Sequence, residues 1–143
     1  SDSEDAGPPG SAQIEELFTS YFDSQGLASE PTAFDGRSDY GPFILAGIPA
    51  GGLFSGAEGV KTPEQAAVYG GTAGEPYDPC YHEACDDITN LNTQALAELG
   101  DAAAHAVLTL ARTKTGFFPD GSRVARTAVA KASLSHKGSH AVR

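Results

Sequence analysis

Apolar residues recur at helical spacing in two stretches of the chain. In the first, Ile14, Leu17, Phe18, Tyr21 and Phe22 fall on one face, which predicts a helix that opens at Ser11 and stops near Gly26. Ser11 would cap it, and Glu15 and Glu16 would sit in its first turn, where negative charge suits the helix dipole. In the second, Leu96, Leu99, Ala103, Val107 and Leu110 predict the buried stripe of a long helix running from a cap at Asn92 to about Thr113. Its alanines favour the helix and allow close packing on a sheet. The aromatic residues of the first face read as core. His105 lies off the second stripe and reads as a solvated helix residue.

Between these helices the pattern is short and broken by glycine and proline. Leu27 to Arg37 reads as an extended segment with a strand around Pro31 to Phe34. Ser38 or Asp39 would cap a short helix reaching Ala46, with Pro42 in its first turn and Gly47 as its stop. Ile48 to Phe54 is a second strand candidate, apolar and weakened by its glycines. Thr62-Pro63-Glu64-Gln65 has the form of a capping box and opens a short helix that ends at Gly70-Gly71. Thr72 to Asp78 then reads as a loop. The glycine-rich run to Gly59 lacks a following Gly-Lys-Ser/Thr, so it is not a phosphate-binding loop. No internal repeat is present.

Charge divides the chain. Its 143 residues, enough for one modest domain, carry a net charge of −10. Residues 1–111 hold 18 acidic against 2 basic side chains, a balance of −16, while residues 112–143 hold 1 against 7, a balance of +6. An acidic body repels phosphate, which argues against nucleic-acid binding by the main domain. No stretch reads as a signal peptide or is long enough to span a membrane. From Ser122 to Arg143 the chain is rich in Ala, Ser, Arg, Lys and Val, with no aromatic residue. It reads as a linker, a disordered tail or the translation of an unrelated frame. His136 and His140 stand at a helical spacing that can clasp a metal, but Gly138 between them argues against that helix.

The candidate chemistry lies in Asp78-Pro79-Cys80-Tyr81-His82-Glu83-Ala84-Cys85-Asp86-Asp87. Both cysteines of the chain are here, flanking a Tyr-His pair. Joined, they would close a small ring worth roughly 2 kcal/mol in the chain-entropy model, so the bond would act on local shape more than on global stability. Left apart, they are free thiols, and a plain surface staple is a third reading. A phenol beside an imidazole offers an oxyanion donor next to a metal ligand. Equally, His82 reads as a surface histidine and Tyr81 as a loop-capping residue. Spacing alone leaves these readings open. Two cysteines close in sequence suit an oxidising compartment.

Four segments carry a resemblance. They are Phe34-Asp35-Gly36-Arg37-Ser38-Asp39-Tyr40-Gly41-Pro42-Phe43, Gly47-Ile48-Pro49-Ala50-Gly51-Gly52-Leu53-Phe54, Gly56-Ala57-Glu58-Gly59-Val60-Lys61-Thr62 and Pro76-Tyr77-Asp78-Pro79-Cys80-Tyr81-His82. In this order they resemble the C-terminal part of the secreted bacterial zinc aminopeptidases of the Streptomyces type, metallopeptidase family 28. A weaker similarity extends from about Asp5 to Gly121. The resemblance implies an α/β fold, the C-terminal portion of a three-layer αβα zinc-exopeptidase domain with a mainly parallel mixed sheet. Residues 1–121 would belong to that catalytic domain and 122–143 would be a basic tail.

The same resemblance implies hydrolysis of N-terminal, large apolar residues from peptides, with two zinc ions. It makes His82 the last zinc ligand, Tyr81 the phenol that steadies the tetrahedral oxyanion, and Cys80 and Cys85 a disulfide. Arg37 would help place the substrate amino end, and Phe54 would line the pocket for its first side chain. Some members bind calcium beside the long helix, and Asp101 is the candidate ligand here, although a plain surface carboxylate is the simpler reading. The family's other zinc ligands and its general base have no counterpart in this sequence. It therefore reads as a piece that is inactive alone. The expected partners are peptide or protein N-termini, with neither nucleic acid nor membrane; the location is extracellular and the complete protein a monomer. The rival reading is a metal-free extracellular binding module on the same scaffold.

Overall fold

A computed structural model of the chain describes residues 7–114 and 116–118. The expected tail at 122–143, with His136 and His140, lies outside the described residues. Among the described residues four α-helices form: α1 at Ser11–Gln25, α2 at Gly41–Leu45, α3 at Pro63–Tyr69 and α4 at Thr93–Arg112. A 3-10 turn covers Ile88–Asn90. The chain divides into two units. One gathers residues 7–17, 32–52 and those described from 108 onward; the other holds Phe18–Pro31 and Leu53–Val107.

The helix ends follow local chemistry. At α3 the Thr62 hydroxyl accepts from the Gln65 amide at 3.1 Å, and the Gln65 side chain accepts from the Thr62 amide at 3.0 Å. This reciprocal box satisfies two otherwise unpaired amide groups, and Pro63 enters without cost because its position needs no donor. Gly70 ends α3 at φ +82, a left-handed conformation open to glycine. The Asn92 side chain accepts from the Gln94 and Ala95 amides, both at 3.1 Å, and so opens α4.

Several expected features differ in the structure. Ser11 does not cap α1 but is its first residue. The carbonyl of Gly10 accepts from the Ile14 amide, and the buried Ser11 hydroxyl accepts from the Ala50 amide at 3.2 Å. Glu15 and Glu16 therefore fall outside the first turn, which holds no acidic residue. Likewise neither Ser38 nor Asp39 caps α2. Tyr40 occupies that position in a helical conformation, with no side-chain cap bond, and Pro42 fixes the first turn.

The two strand candidates also differ from expectation. Neither Pro31 to Phe34 nor Ile48 to Phe54 forms a strand, and no strand is present among the described residues. An extended run becomes a strand only when a neighbour takes its amide and carbonyl groups. Among the described residues the one β pairing is an antiparallel bridge between Val60 and Pro76, the latter in the segment from Thr72 to Asp78 expected to be a loop.

Helix α4 lacks the expected cover along one edge. Ala102 is 0 % exposed and Ala106 is also buried, while Leu99 and Leu110 are half-buried. Leu96 is 61 % and Val107 69 % exposed, and Ala103 is open as well. The apolar arc is wider than the surface packed on it, and packing takes the small-residue edge. His105 is exposed, as expected for a residue off the stripe, yet its ring lies 4.9 Å from that of Tyr21.

Candidate active site

The Tyr-His pair stands on a loop with nested ties, all within the second unit. Cys80 and Cys85 are joined, with their Cα atoms 5.3 Å apart. The Cys80 carbonyl accepts from the Glu83 amide at 2.8 Å, and the Cys85 carbonyl from the Asp87 amide at 2.9 Å. Outside this ring, one carboxylate oxygen of Asp78 accepts from the Cys80 amide at 2.9 Å and from the Asn90 side chain at 3.0 Å. The Asp78–Asn90 bond therefore closes the base of the loop, and the disulfide closes its neck.

Within the ring, His82 adopts φ +60. Histidine is among the side chains that tolerate this left-handed region better than most. The bend brings the Tyr81 and His82 rings to 4.1 Å between centroids. Tyr81 is 37 % exposed and His82 is exposed too. The surroundings are acidic, with Glu83, Asp86 and Asp87 all exposed on the same loop.

Asp87 opens the 3-10 turn by accepting from the Thr89 hydroxyl and the Thr89 amide. These bonds, the hydroxyl first, hold its carboxyl below the ordinary value. A depressed folded-state value means that this support is complete above the ordinary carboxylate range and is lost as pH falls through the depressed value. The Thr89 amide resonance is therefore expected to titrate with a midpoint below that of a free aspartate. A midpoint at or above the free value in an NMR titration would show that the bonds do not persist in solution.

The other candidates belong to other segments of the chain. Phe54, in the second unit, is 57 % exposed and offers an apolar face. Arg37 is exposed in the first unit, on a turn shaped by Asp35, which accepts from the Arg37 amide at 3.0 Å. The Tyr40 hydroxyl accepts from the Gly36 amide at 3.1 Å, and its ring stacks on Phe34 at 4.5 Å. This fixes the backbone that presents Arg37. Asp101 is exposed on α4 and offers a single carboxylate, whereas calcium takes six to eight oxygens.

His82 suits one metal coordination position. Among the described residues, no group of three or more His, Cys, Asp or Glu side chains could hold a metal ion. The described residues thus do not make a metal centre by themselves. An open apolar recess of about 390 Å³ in the first unit is lined by Ile14, Pro49, Leu110, Thr113, Phe117 and Phe118, none of them a candidate site residue. No described helix is long and apolar enough to cross a membrane. The ties that Asp78 makes to Cys80 and Asn90 were not among the expectations. Asp78 was detectable as an acceptor two residues before Cys80, in the position of an Asx turn; Asn90 gave no local signal.

Known proteins supply the context. The model of peptidase family M28 matches residues 2–107. Leucine aminopeptidase 2 of Trichophyton rubrum is 52 % identical over 111 residues, covering 78 % of this chain and 22 % of that protein. An aminopeptidase of Pseudomonas aeruginosa is 59 % identical over 98 residues, 68 % of this chain and 18 % of its own length. A probable leucine aminopeptidase 2 of Aspergillus oryzae is 57 % identical over 106 residues, 74 % and 21 % of the two lengths. The chain thus spans about a fifth of the length of these curated relatives. With most of its length matched, the chain belongs to peptidase family M28, whose members are peptide hydrolases of α/β type and generally metallopeptidases.

Proposed function

We propose that this chain is part of a zinc-dependent aminopeptidase of the Streptomyces type that removes large apolar residues from peptide N-termini. The observation that carries the reading is the Tyr81–His82 pair, exposed side by side on a loop tied by the Cys80–Cys85 disulfide. The aminopeptidase names of the relatives support this reaction class.

Zinc in such a centre acidifies a bound water and polarises the substrate carbonyl. His82 would give one imidazole nitrogen to that centre, and the remaining ligands would come from outside the described residues. The Tyr81 hydroxyl would donate a hydrogen bond to the carbonyl oxygen as negative charge gathers on it. Phe54 would line the pocket for the first side chain, which favours large apolar residues, and Arg37 would help place the amino end. Residues 1–121 would belong to the catalytic domain and 122–143 would form a separate tail. Asp101 is a candidate calcium ligand in the complete domain. Export to the extracellular space, where a disulfide persists, fits the Cys80–Cys85 bond. The complete enzyme would act as a monomer.

Zinc content and Leu-p-nitroanilide hydrolysis, measured on this chain and on the complete protein, test the reading. Zinc and activity are expected in the complete protein alone. Zinc-dependent activity of the isolated chain would overturn the view that it is incomplete. Neither zinc nor activity in the complete protein would overturn the enzymatic reading and favour a metal-free binding scaffold.

A further inference from the structure

The site loop is fed by a strap, residues 74–78, that pairs with residues 57–61. The Val60–Pro76 bridge is framed by the Lys61 amide donating to the Glu75 carbonyl at 3.0 Å and the Tyr77 amide donating to the Gly59 carbonyl at 2.9 Å. Further along, the Asp78 amide donates to the Ala57 carbonyl at 2.8 Å, and the Gly74 amide to that of Lys61 at 2.9 Å. In an antiparallel pair of this kind, the groups of the bridged residues point away from the partner. The Pro76 carbonyl is therefore not used by the pairing, and proline has no amide to offer. Lys61 fills that gap: its ammonium donates to the Pro76 carbonyl at 2.9 Å.

Lys61 is 7 % exposed, which is unusual for a lysine. Its ammonium also lies 5.2 Å from the centre of the Tyr77 ring, within cation–π range. The ring in turn covers Gly56, at φ +103, where an added Cβ would collide with the ring carbons of Tyr77. The side chain thus touches the strap at two consecutive residues, Pro76 and Tyr77. Asp78, the acceptor that ties Cys80 and Asn90, comes next. Burying an ammonium is costly unless it gains strong partners. Here the partners are the residues that lead into the loop bearing Tyr81 and His82.

We propose that Lys61 is a positioning residue for Tyr81 and His82, its ammonium pinning the Pro76 carbonyl and the Tyr77 ring so that the strap delivers the disulfide loop in one setting. The proposal rests on the reading of Tyr81 and His82 as site residues only for its catalytic consequence. Its structural part stands without it.

Two readouts test it. In the 143-residue chain, Lys61→Met is expected to shift and broaden the His82 ring resonances and to speed thiol reduction of the Cys80–Cys85 disulfide. Ala106→Gly, a helix-weakening control in α4, is expected to lower the melting temperature while leaving both signals alone. In the complete protein, Lys61→Met is expected to lower kcat about tenfold or more with KM nearly unchanged, the range seen when support behind a site residue is lost. Lys61→Arg, which keeps a cationic donor, is expected to recover part of the loss. If Lys61→Met does not fold, Lys61→Leu, which also lacks a donor, is read the same way. His82 resonances and a reduction rate equal to wild type in Lys61→Met would overturn the proposal whatever the activity. A complete protein that stays active with His82→Ala would instead sink the functional reading and leave the loop measurements standing.

Discussion

Replacing His82 by alanine in the complete protein is expected to reduce zinc content and to cost more activity than the roughly 10–100-fold typical of residues that merely support a metal ligand. The imidazole is exposed on a loop that is closed twice, so its removal leaves the ties of that loop in place. Backbone effects need a separate control, because His82 sits at φ +60. His82→Asn supplies it, since asparagine also tolerates the left-handed region but lacks the imidazole. Equal losses in the two variants would assign the effect to the ligand. An asparagine variant with wild-type zinc content and activity, measured by metal analysis and Leu-p-nitroanilide hydrolysis, would instead assign it to loop conformation.

Tyr81→Phe is expected to lower kcat by about 10²–10³-fold, the usual cost of removing one oxyanion donor, with KM nearly unchanged. The substitution keeps the aromatic ring that lies against His82 and deletes only the hydroxyl. Tyr81 is partly exposed, so little packing depends on that oxygen. A hydrogen bond that forms as charge gathers in the transition state affects the chemical step more than substrate binding. The melting temperature is accordingly expected to stay close to wild type. A rise in KM at constant kcat would place the phenol in ground-state binding and remove it from the chemistry.

What could be read from the sequence was mainly local. The Thr62–Gln65 box and the Asn92 cap are complete within four residues, so their chemistry is visible before any fold is known. The aromatic face of α1 follows from spacing alone. Ser11 looked equally local but was diverted, because its hydroxyl serves the distant Ala50 amide instead of its own helix. The strand expectations failed for the opposite reason. A strand depends on a neighbour, and apolar residues at Ile48 to Phe54 do not specify one. On α4, spacing found the apolar residues but not which edge the chain would cover, so Leu96 and Val107 were placed inside. The site showed the same division. Resemblance pointed to the Tyr-His pair and to the disulfide that the structure contains, whereas the Asn90 tie and the Lys61 clasp cross 12 and 15 residues and left no local pattern.

The nested closure of the site loop also bears on the order of events during maturation. Asp78 and Asn90, together with the turn bonds in and beside the ring, can hold the loop before any sulfur bond exists. They would present the two thiols to each other at high effective concentration, so that the preformed loop favours their oxidation. The covalent bond is then a lock set on a shape already made, rather than the agent that makes it.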